Sequence, residues 1–204
     1  MRKVILENKK IVLASNNPGK VKEINELLVN TVFHILPQSE FDVIEAEETG
    51  LTFVENAIIK ARNAARHTNH PVIADDSGIE VVGLKGRPGI YSARYAGIDA
   101  SDEDNCNKLI EDIKPLHKKD RNARFVCSMV FLRHAEDPTP FISQGIWDGV
   151  VIMTPRGQNG FGYDPIFYVP TDNCTSAELS PEIKNKLSHR GQALTNLIKQ
   201  ISEM

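Results

Sequence analysis

Apolar residues follow two spacings along this chain, and each spacing predicts a different kind of element. A continuous apolar run over residues 11–14 is typical of a buried strand. From Pro18 onward, apolar residues recur three and four positions apart, as they do on one face of a helix. Asn17 is suited to cap that helix, and proline is favoured at the first helical position. The chain is therefore predicted to begin with a strand, a polar loop and a helix.

The same spacings predict the elements of the rest of the chain. Further strands are predicted over residues 32–36, 72–74, 79–84, 123–132, 141–147, 149–153 and 166–169. Further helices are predicted to begin at Thr52, Ser101, Ser180 and about Gly191. Residues 75–78 and 148–149 are interpreted as turns between strands. Helices alternate with strands in the first third, whereas strands follow one another in the middle. This order predicts an α/β fold with a mixed sheet and helices on both sides.

Composition narrows the kind of protein. With 204 residues, of which 41% are hydrophobic, the chain suits one domain or two lobes that share a sheet. No apolar run approaches the ~20 residues of a membrane span, and residues 1–7 lack the apolar region of a signal peptide. The 24 basic and 27 acidic residues give a net charge of −3, which disfavours binding to a nucleic-acid polymer but allows a small anionic ligand. We therefore expect a cytoplasmic protein that binds neither membranes nor long nucleic acids.

The three cysteines, Cys106, Cys127 and Cys174, are far apart and odd in number. They form neither a disulfide framework nor a paired metal-binding motif. Cys127 lies in an apolar run and is interpreted as a buried thiol, and Cys106 falls on the apolar face of a predicted helix. The residues that could carry chemistry therefore lie in the polar segments of the chain.

Two pairs of adjacent acidic residues are candidates for catalysis or metal binding. Asp75 and Asp76 follow the apolar run 72–74, and a strand that ends there would place them where α/β proteins bind ligands. Adjacent carboxylates repel each other, so a metal ion, a basic side chain or a shared proton usually compensates them. Glu47 and Glu48 precede a helix, where they either favour its dipole or bind Mg²⁺ together with Asp76. An ordinary turn after the strand is the alternative for the aspartates.

Three further segments carry groups that could bind a nucleotide. Residues 15–20 open a helix, whose N–H groups favour phosphate and to which Lys20 adds a charge; an ordinary helix cap is the alternative. Residues 160–165 place two aromatic rings and an acid between glycines, so a ring could stack on a base or belong to the core. Residues 184–190 hold two lysines, a histidine and an arginine, which either bind a ligand or form a solvated face.

Taken together and in this order, these segments resemble the inosine triphosphate pyrophosphatase family, most closely its bacterial branch. The resemblance rests on six motifs spread over nearly the whole chain, at residues 15–20, 47–57, 74–78, 88–95, 160–165 and 188–191. It implies that residues 1–204 form a single two-lobed nucleotide pyrophosphatase domain, with a long central mixed sheet and a cleft between the lobes. Residues 1–8 resemble a short extension ahead of the usual start. The resemblance also implies a homodimer and a cytoplasmic role in cleansing the nucleotide pool.

The reaction that the resemblance implies is the Mg²⁺-dependent hydrolysis of ITP, dITP or XTP to the monophosphate and pyrophosphate. Asp76 is the implied proton acceptor and a metal ligand, and Glu47 is the implied second Mg²⁺ ligand. Glu48 and Asp75 are ranked just behind them. The implied substrate-binding residues are Ser15, Asn16, Asn17, Pro18, Gly19, Lys20, Ser77, Phe161, Gly162, Tyr163, Asp164, Lys184, His189 and Arg190.

Three other classes of protein share parts of this pattern. A Maf-like nucleotide pyrophosphatase would have a similar architecture and prefer pyrimidine or modified nucleotides. A nucleotide sensor would bind without turnover, but paired acids would repel the phosphates that it has to bind. A structural protein would carry the acids as surface turns and would not respond to nucleotide and Mg²⁺.

Overall fold

The computed structural model describes residues 10–29, 31 and 33–203 of the chain. The strands are β1 (Lys10–Leu13), β2 (His34–Pro37), β3 (Val72–Val81), β4 (Asn122–Leu132), β5 (Phe141–Val151), β6 (Phe167–Val169) and β7 (Cys174–Thr175). The helices are α1 (Pro18–Leu28), α2 (Phe53–Thr68), α3 (Asp102–Ile113), α4 (Pro181–Leu187) and α5 (His189–Ser202). Short 3₁₀ segments lie at Gln38–Phe41, Val82–Leu84, Gly89–Arg94, Lys118–Arg121, Asp164–Ile166 and Ser176–Glu178. The predicted extension, residues 1–8, and Val32 lie outside the described residues.

The described strands form a seven-stranded sheet in the order β2-β1-β3-β4-β5-β6-β7. β1 pairs in parallel with β2, where Lys10 lies opposite His34, and with β3, where Val12 lies opposite Val72. β6 pairs antiparallel with both β5 and β7. The predicted α/β fold with a mixed sheet is therefore confirmed.

The predicted turn at residues 75–78 is wrong, because β3 continues through this segment from Val72 to Val81. Most side chains of β3 are buried, including those of Asp75 and Asp76. The preference of Asp, Ser and Gly for turns is weak, and burial against neighbouring elements overrides it. The two acids therefore lie inside a strand and not at its end.

The predicted turn at residues 148–149 is also wrong, because β5 is one strand over Phe141–Val151. Gly149 is required here for a different reason. A Cβ atom on this residue would lie 2.5 Å from Cζ of Phe167 and 2.6 Å from the carbonyl oxygen of Tyr168. Glycine lets β6 approach β5 more closely than any side chain would allow.

The described chain divides into two compact units. The first contains the residues up to Asp76, Cys127–Gly145 and the residues from Arg190 onward. The second contains Ser77–Val126 and Ile146–His189. The division therefore falls within three strands, β3, β4 and β5, and between the first two residues of α5.

In the first unit, helices pack on both faces of the strands, as predicted. Ile11 and Leu13 of β1 contact a core cluster that includes residues of α1 and α5. Val12, which lies between them, belongs to a separate cluster with the alanines of α2. This division follows from the geometry of a strand, because successive side chains point to opposite faces.

The core of the second unit packs one face of α3 against residues from β3 to β6. Cys106 and Leu109 of α3 lie in this core, so Cys106 occupies the apolar helix face as predicted. Ser101 caps α3 and forms a reciprocal capping box with Asp104. Cys127 is fully buried in the first unit, which confirms the prediction of a buried thiol.

Two other helices begin at their predicted caps. The Asn17 side chain caps α1, and Thr52 caps α2 by accepting the backbone N–H of Glu55. α5 begins at His189, two residues earlier than expected, so residues 189 and 190 belong to its first turn. Among the residues that the structure describes, no helix combines the length and the apolar character needed to cross a membrane.

Candidate active site

The phosphate-loop candidate lies where β1 ends and α1 begins. The side-chain oxygen of Asn17 accepts the backbone N–H of Lys20 at 3.1 Å. The hydroxyl oxygen of Ser15 accepts the N–H of Asn17 at 3.3 Å, and the side-chain amide of Asn16 donates to Glu45 at 2.7 Å. The loop is therefore held by its own polar side chains, which fix the start of α1.

Lys20 reaches a buried carboxylate on β3. Pro18 and Gly19 precede it as the first two residues of α1, and its ammonium nitrogen lies 3.0 Å from Oδ2 of Asp75. Nε of Arg190 lies 3.6 Å from the same oxygen atom. Since the side chain of Asp75 is fully buried, two cations share one carboxylate that has no contact with solvent.

The charges around Asp75 determine its protonation. Burial opposes ionisation, but the positive charges of Lys20 and Arg190 outweigh it and hold the pKa of the Asp75 carboxyl well below its usual range. Arg190 also forms a buried ion pair with Glu23 of α1. Asp75 is therefore an ionised counter-ion for cations that belong to α1 and α5.

A buried thiol lies beside this carboxylate. Sγ of Cys127 is 4.0 Å from Oδ2 of Asp75. Burial, with a further contribution from the charge of Asp75, raises the pKa of the Cys127 thiol to about 12. Because the thiolate is the reactive form of cysteine, Cys127 is not a nucleophile at neutral pH.

Asp76 contacts two residues of α2. Nζ of Lys60 lies 3.1 Å from Oδ1 of Asp76 and 2.8 Å from Oε1 of Glu48, so one ammonium group bridges two acids. The side-chain amide of Asn56 donates to Oδ2 of Asp76 at 3.2 Å. Asn56 and Lys60 are four residues apart, which places both on the same face of the helix.

The two neighbouring aspartates have opposite pKa shifts. Burial raises the pKa of Asp76, and although the charge of Lys60 opposes this, the pKa stays above its ordinary value. Burial lowers the pKa of Lys60, but the charges of Asp76 and Asp75 outweigh it and the pKa is raised. Lys60 is therefore protonated, and Asp76 is the more basic carboxylate of the adjacent pair.

The acids beside Lys60 have the chemistry of a Mg²⁺ site. Mg²⁺ prefers carboxylate oxygen atoms and keeps several of its waters, so it needs few protein ligands. Asp76 and Glu48 already surround one cationic group, the ammonium of Lys60, which shows that the pair can hold a positive charge. The side chain of Glu47 is exposed, and its carbonyl accepts the N–H of Thr49. Within the described part of the chain, no group of three or more His, Cys, Asp or Glu residues is arranged to bind a metal.

In the second unit, Asp164 connects the loop 160–164 to α4. Its carboxylate accepts the N–H of Phe161 at 2.9 Å and the hydroxyl of Ser176 at 2.7 Å. It also forms a buried ion pair with Lys184. The ammonium nitrogen of Lys184 lies 5.1 Å from the centre of the Phe161 ring, within the range of a cation–π contact. One carboxylate therefore fixes both an aromatic ring and a cation.

The two aromatic residues of this loop have different surroundings. Tyr163 is buried in the core, and its hydroxyl donates to the carbonyl of Ser92 at 2.7 Å. Burial raises the pKa of Tyr163, so its hydroxyl keeps its proton and stays a donor. Phe161 is only partly buried. The geometry therefore favours Phe161 over Tyr163 as the ring that contacts a base.

Three further predicted residues also lie in the second unit. His189 begins α5, and its ring stacks on that of Phe125. Gly162 has a φ of +58°, and its N–H donates to Asp102 at 2.7 Å. Ser77 is half-buried in β3, directly after the two aspartates. Each of the predicted residues thus has a defined place in one of the two units.

Sequence reasoning missed three residues of the first unit's cluster. Lys60 and Asn56 contact Asp76, and Glu23 pairs with Arg190. One sequence signal could have identified the first two. They are polar residues four positions apart, beside the alanines that form the buried face of α2. Glu23 has no comparable signal, because an acid in the second turn of a helix is ordinarily solvated.

A family model described as the Ham1 family matches residues 11–200. The chain belongs to the Ham1 family. This Ham1 chain is 58% identical to the dITP/XTP pyrophosphatase of Vibrio cholerae serotype O1, over 96% of its own length and 98% of the relative's. It is 56% identical to the dITP/XTP pyrophosphatase of Escherichia coli O157:H7, over 93% and 96% of the two chains.

Solved structures agree with this assignment. The HAM1 protein from Coxiella burnetii superimposes on the Ham1 chain with a TM-score of 0.89 at 48% identity, and the match covers 96% of this chain and all (100%) of that one. The Ham1 protein of Staphylococcus aureus gives a TM-score of 0.82 at 45% identity, over 96% and 98% of the two chains. The family resemblance inferred from the six motifs is therefore confirmed.

Proposed function

We propose that this chain hydrolyses ITP, dITP and XTP to the monophosphate and pyrophosphate, and so cleanses the nucleotide pool. Relatives named dITP/XTP pyrophosphatases match nearly the full chain. The observation that carries the proposal is the cluster in which Lys20 and Lys60 contact Asp75 and Asp76. Cations that can bind phosphate, beside a carboxylate that can activate water, are the groups that phosphoryl transfer requires.

Asp76 is the proposed general base. A water molecule that attacks the α-phosphorus has to lose a proton, and a carboxylate with a raised pKa accepts it more readily than an ordinary one. Lys60 and Asn56 each contact one oxygen of Asp76, so the carboxylate is held in one orientation. The bond between the α-phosphorus and the bridging oxygen breaks, and pyrophosphate leaves.

Lys20 and the first N–H groups of α1 are the proposed phosphate ligands. Negative charge grows on the leaving pyrophosphate, and a nearby ammonium group stabilises it. The partly positive start of a helix has the same effect. In the structure Lys20 contacts Asp75, which keeps its ammonium beside the acidic pair. A phosphate that binds here would share this cation with the buried carboxylate.

We propose Mg²⁺ as the cofactor, held by Asp76 and Glu47, with Glu48 as the neighbouring acid. When bound, the ion would neutralise phosphate charge and orient the triphosphate. The fit rests on the carboxylates of Asp76 and Glu48 around Lys60, which are the oxygen donors that Mg²⁺ prefers. Glu47 is the exposed neighbour of Glu48 in the sequence.

Base selection is assigned to Phe161, Lys184 and His189 of the second unit, whereas Arg190 is a buried partner of Asp75 and Glu23. The partly buried face of Phe161 is suited to stack on a purine. A 6-oxo purine presents an acceptor to N–H donors, whereas adenine presents an amino group that would leave those donors unpaired. A mismatch of buried polar groups can give about 10⁴-fold discrimination. We also propose that the protein is a homodimer and acts in the cytoplasm.

A nucleotide panel with and without Mg²⁺ tests the proposal. We expect rapid pyrophosphate release from ITP, dITP and XTP, slow release from ATP, and none after Mg²⁺ is chelated. Preference for pyrimidine triphosphates would instead indicate a Maf-like enzyme. Nucleotide binding without product would indicate a sensor, and a lack of thermal shift with nucleotide and Mg²⁺ would indicate a structural protein.

Lys60→Gln is expected to move the acidic limb of the pH–rate profile to higher pH. Activity requires ionised Asp76, so it is lost as the pH falls through the pKa of that group. Burial raises this pKa, with a further contribution from the charge of Glu48, whereas the charges of Lys60 and Lys20 lower it. Without Lys60, only Lys20 opposes burial and Glu48, so Asp76 becomes protonated at a higher pH.

The measurement is kcat/KM for ITP across the acidic range, compared with Lys108→Gln. Lys108 is a more exposed lysine paired with Asp112, so its loss should leave the limb in place. An unchanged limb in Lys60→Gln would show that Asp76 is not the group whose titration limits the reaction.

A further inference from the structure

The aromatic ring of Phe125 lies parallel to the imidazole of His189. The ring centroids are 4.7 Å apart, and the planes differ by only 7°. Phe125 belongs to β4 and His189 begins α5, and both side chains are buried within the second unit. Neither composition nor motif spacing indicated this contact, because Phe125 lies within a long apolar strand.

Phe125 is itself fixed by other aromatic rings. Its centroid lies 4.5 Å from that of Phe167, with the planes tilted by 54°, and 6.4 Å from that of Trp147. Phe167 is fully buried and Trp147 nearly so. The ring that supports His189 therefore has little freedom to move, since close-packed cores hold their side chains in defined rotamers.

We propose that Phe125 is a positioning residue that fixes the plane of the His189 imidazole and thereby sharpens purine selection. The inference rests on the proposed function, in which His189 donates to the 6-oxo group. Both nitrogens of an imidazole donate or accept in the ring plane. A flat surface against one face of the ring fixes that plane, and so fixes the direction of the donor.

Loss of the Phe125 ring should change the selection of the purine base and not the rate of the chemical step. The groups assigned to water activation and phosphate binding, Asp76 and Lys20, take no part in the stack. A histidine whose ring can tilt would lose part of its hydrogen bond to a 6-oxo purine. A fixed imidazole N–H would point at the amino group of a 6-amino purine, and two donors repel each other. A ring that can tilt would relieve this repulsion, so the protein would discriminate less strongly against ATP.

The test compares Phe125→Leu with Phe167→Leu, in steady-state kinetics with ITP and ATP. Leucine keeps an apolar side chain at each position, and Phe167 supports the same core cluster while contacting Phe125 and Trp147. We expect Phe125→Leu to raise KM for ITP roughly threefold to tenfold, the range of an aromatic pair, with kcat nearly unchanged. Its preference for ITP over ATP should fall. Phe167→Leu can act on His189 only by loosening Phe125, so it should lower that preference less. Phe125→Met replaces Phe125→Leu if the leucine variant does not fold.

A double-mutant cycle shows whether Phe125 acts through His189. In a His189→Asn background, Phe125→Leu should change the ITP preference no further. An equal loss of preference in both backgrounds, or an equal loss in Phe167→Leu, would overturn the inference. A wild-type protein that releases no pyrophosphate from ITP would refute the proposed function as well. An active, selective wild type whose Phe125 variants keep full selectivity would refute this inference alone.

Discussion

Asp76→Asn is expected to lower kcat for ITP roughly 10³-fold while leaving nucleotide affinity largely intact. Asparagine has nearly the size of aspartate but cannot accept the proton of an attacking water. Asn56 and Lys60 donate to the two oxygens of Asp76, and only one of those oxygens would remain in the amide. The phosphate-binding groups assigned to α1 are unchanged by this substitution.

The same substitution has two opposing effects on the stability of the fold. A carboxyl whose pKa is raised on folding favours its neutral form in the folded state, so its charge opposes folding at neutral pH. Removing that charge favours folding, but Asn56 or Lys60 then faces the amide nitrogen without an acceptor, at a cost of about 1–3 kcal/mol. The net change in the free energy of unfolding is therefore expected to be smaller than in Asp75→Asn. Loss of turnover in a fully folded protein would assign Asp76 to the chemistry.

Turnover is measured as pyrophosphate release, and affinity by calorimetry with a nucleotide. Asp148→Asn is the matched control, because Asp148 is an exposed aspartate within β5. Its kinetics should equal those of the wild type. Parallel loss of binding and turnover in Asp76→Asn would instead show that this carboxylate mainly holds the cluster together.

Elements with local sequence signals were predicted correctly. The start of α1 follows from Asn17 and Pro18, which act within one turn of the helix. The buried strand β1 follows from a continuous apolar run. These features depend on neighbours in sequence, so the chain alone is sufficient to predict them.

The errors arise where distant residues decide the conformation. Asp75 and Asp76 were expected in or beside a turn, but cations from α1, α2 and α5 contact them within a strand. Gly149 was expected in a turn, but the close approach of β6 requires it. The local sequence does not indicate either contact, because the partners are far away along the chain.

In the candidate site too, residues within recognisable motifs were predicted from the sequence, whereas a residue that acts through a long-range contact was not. Motif resemblance predicted roles for Asp76 and Lys20, whose segments have a recognisable composition. It did not identify Lys60, which forms an ion pair across the fold with Asp76. An isolated lysine on a helix is ordinarily solvated, so only its contact with two acids reveals its importance.

Asp75→Asn is expected to destabilise the protein by about 3–5 kcal/mol, the range seen when one partner of a buried ion pair is removed. Lys20 and Arg190 would lose their shared counter-ion, although Arg190 would keep Glu23. The free energy of unfolding is measured with urea at neutral pH. Glu111→Gln is the control, because the Lys114–Glu111 pair is exposed and such pairs contribute at most about 1 kcal/mol.

The pH dependence of the free energy of unfolding tests separately whether ionised Asp75 stabilises the folded state. The pKa of Asp75 is lowered on folding, so its ionisation stabilises the folded state at every pH above the unfolded value of about 4. This contribution is lost as the pH falls through the lower folded-state pKa. Wild-type stability should therefore decline on acidification below about pH 4, and Asp75→Asn should lack that part of the decline.

The response to Mg²⁺ distinguishes a counter-ion from a metal ligand at Asp75. Two cations already contact Oδ2 of this carboxylate, and its side chain has no access to solvent. A residue held in this way should affect the position of Lys20 and not the binding of the metal. Asp75→Asn is therefore expected to raise KM for ITP while keeping the wild-type Mg²⁺ concentration for half-maximal activity. A large increase in that concentration, with stability unchanged, would show that Asp75 binds the metal and that its pairing with Lys20 is secondary.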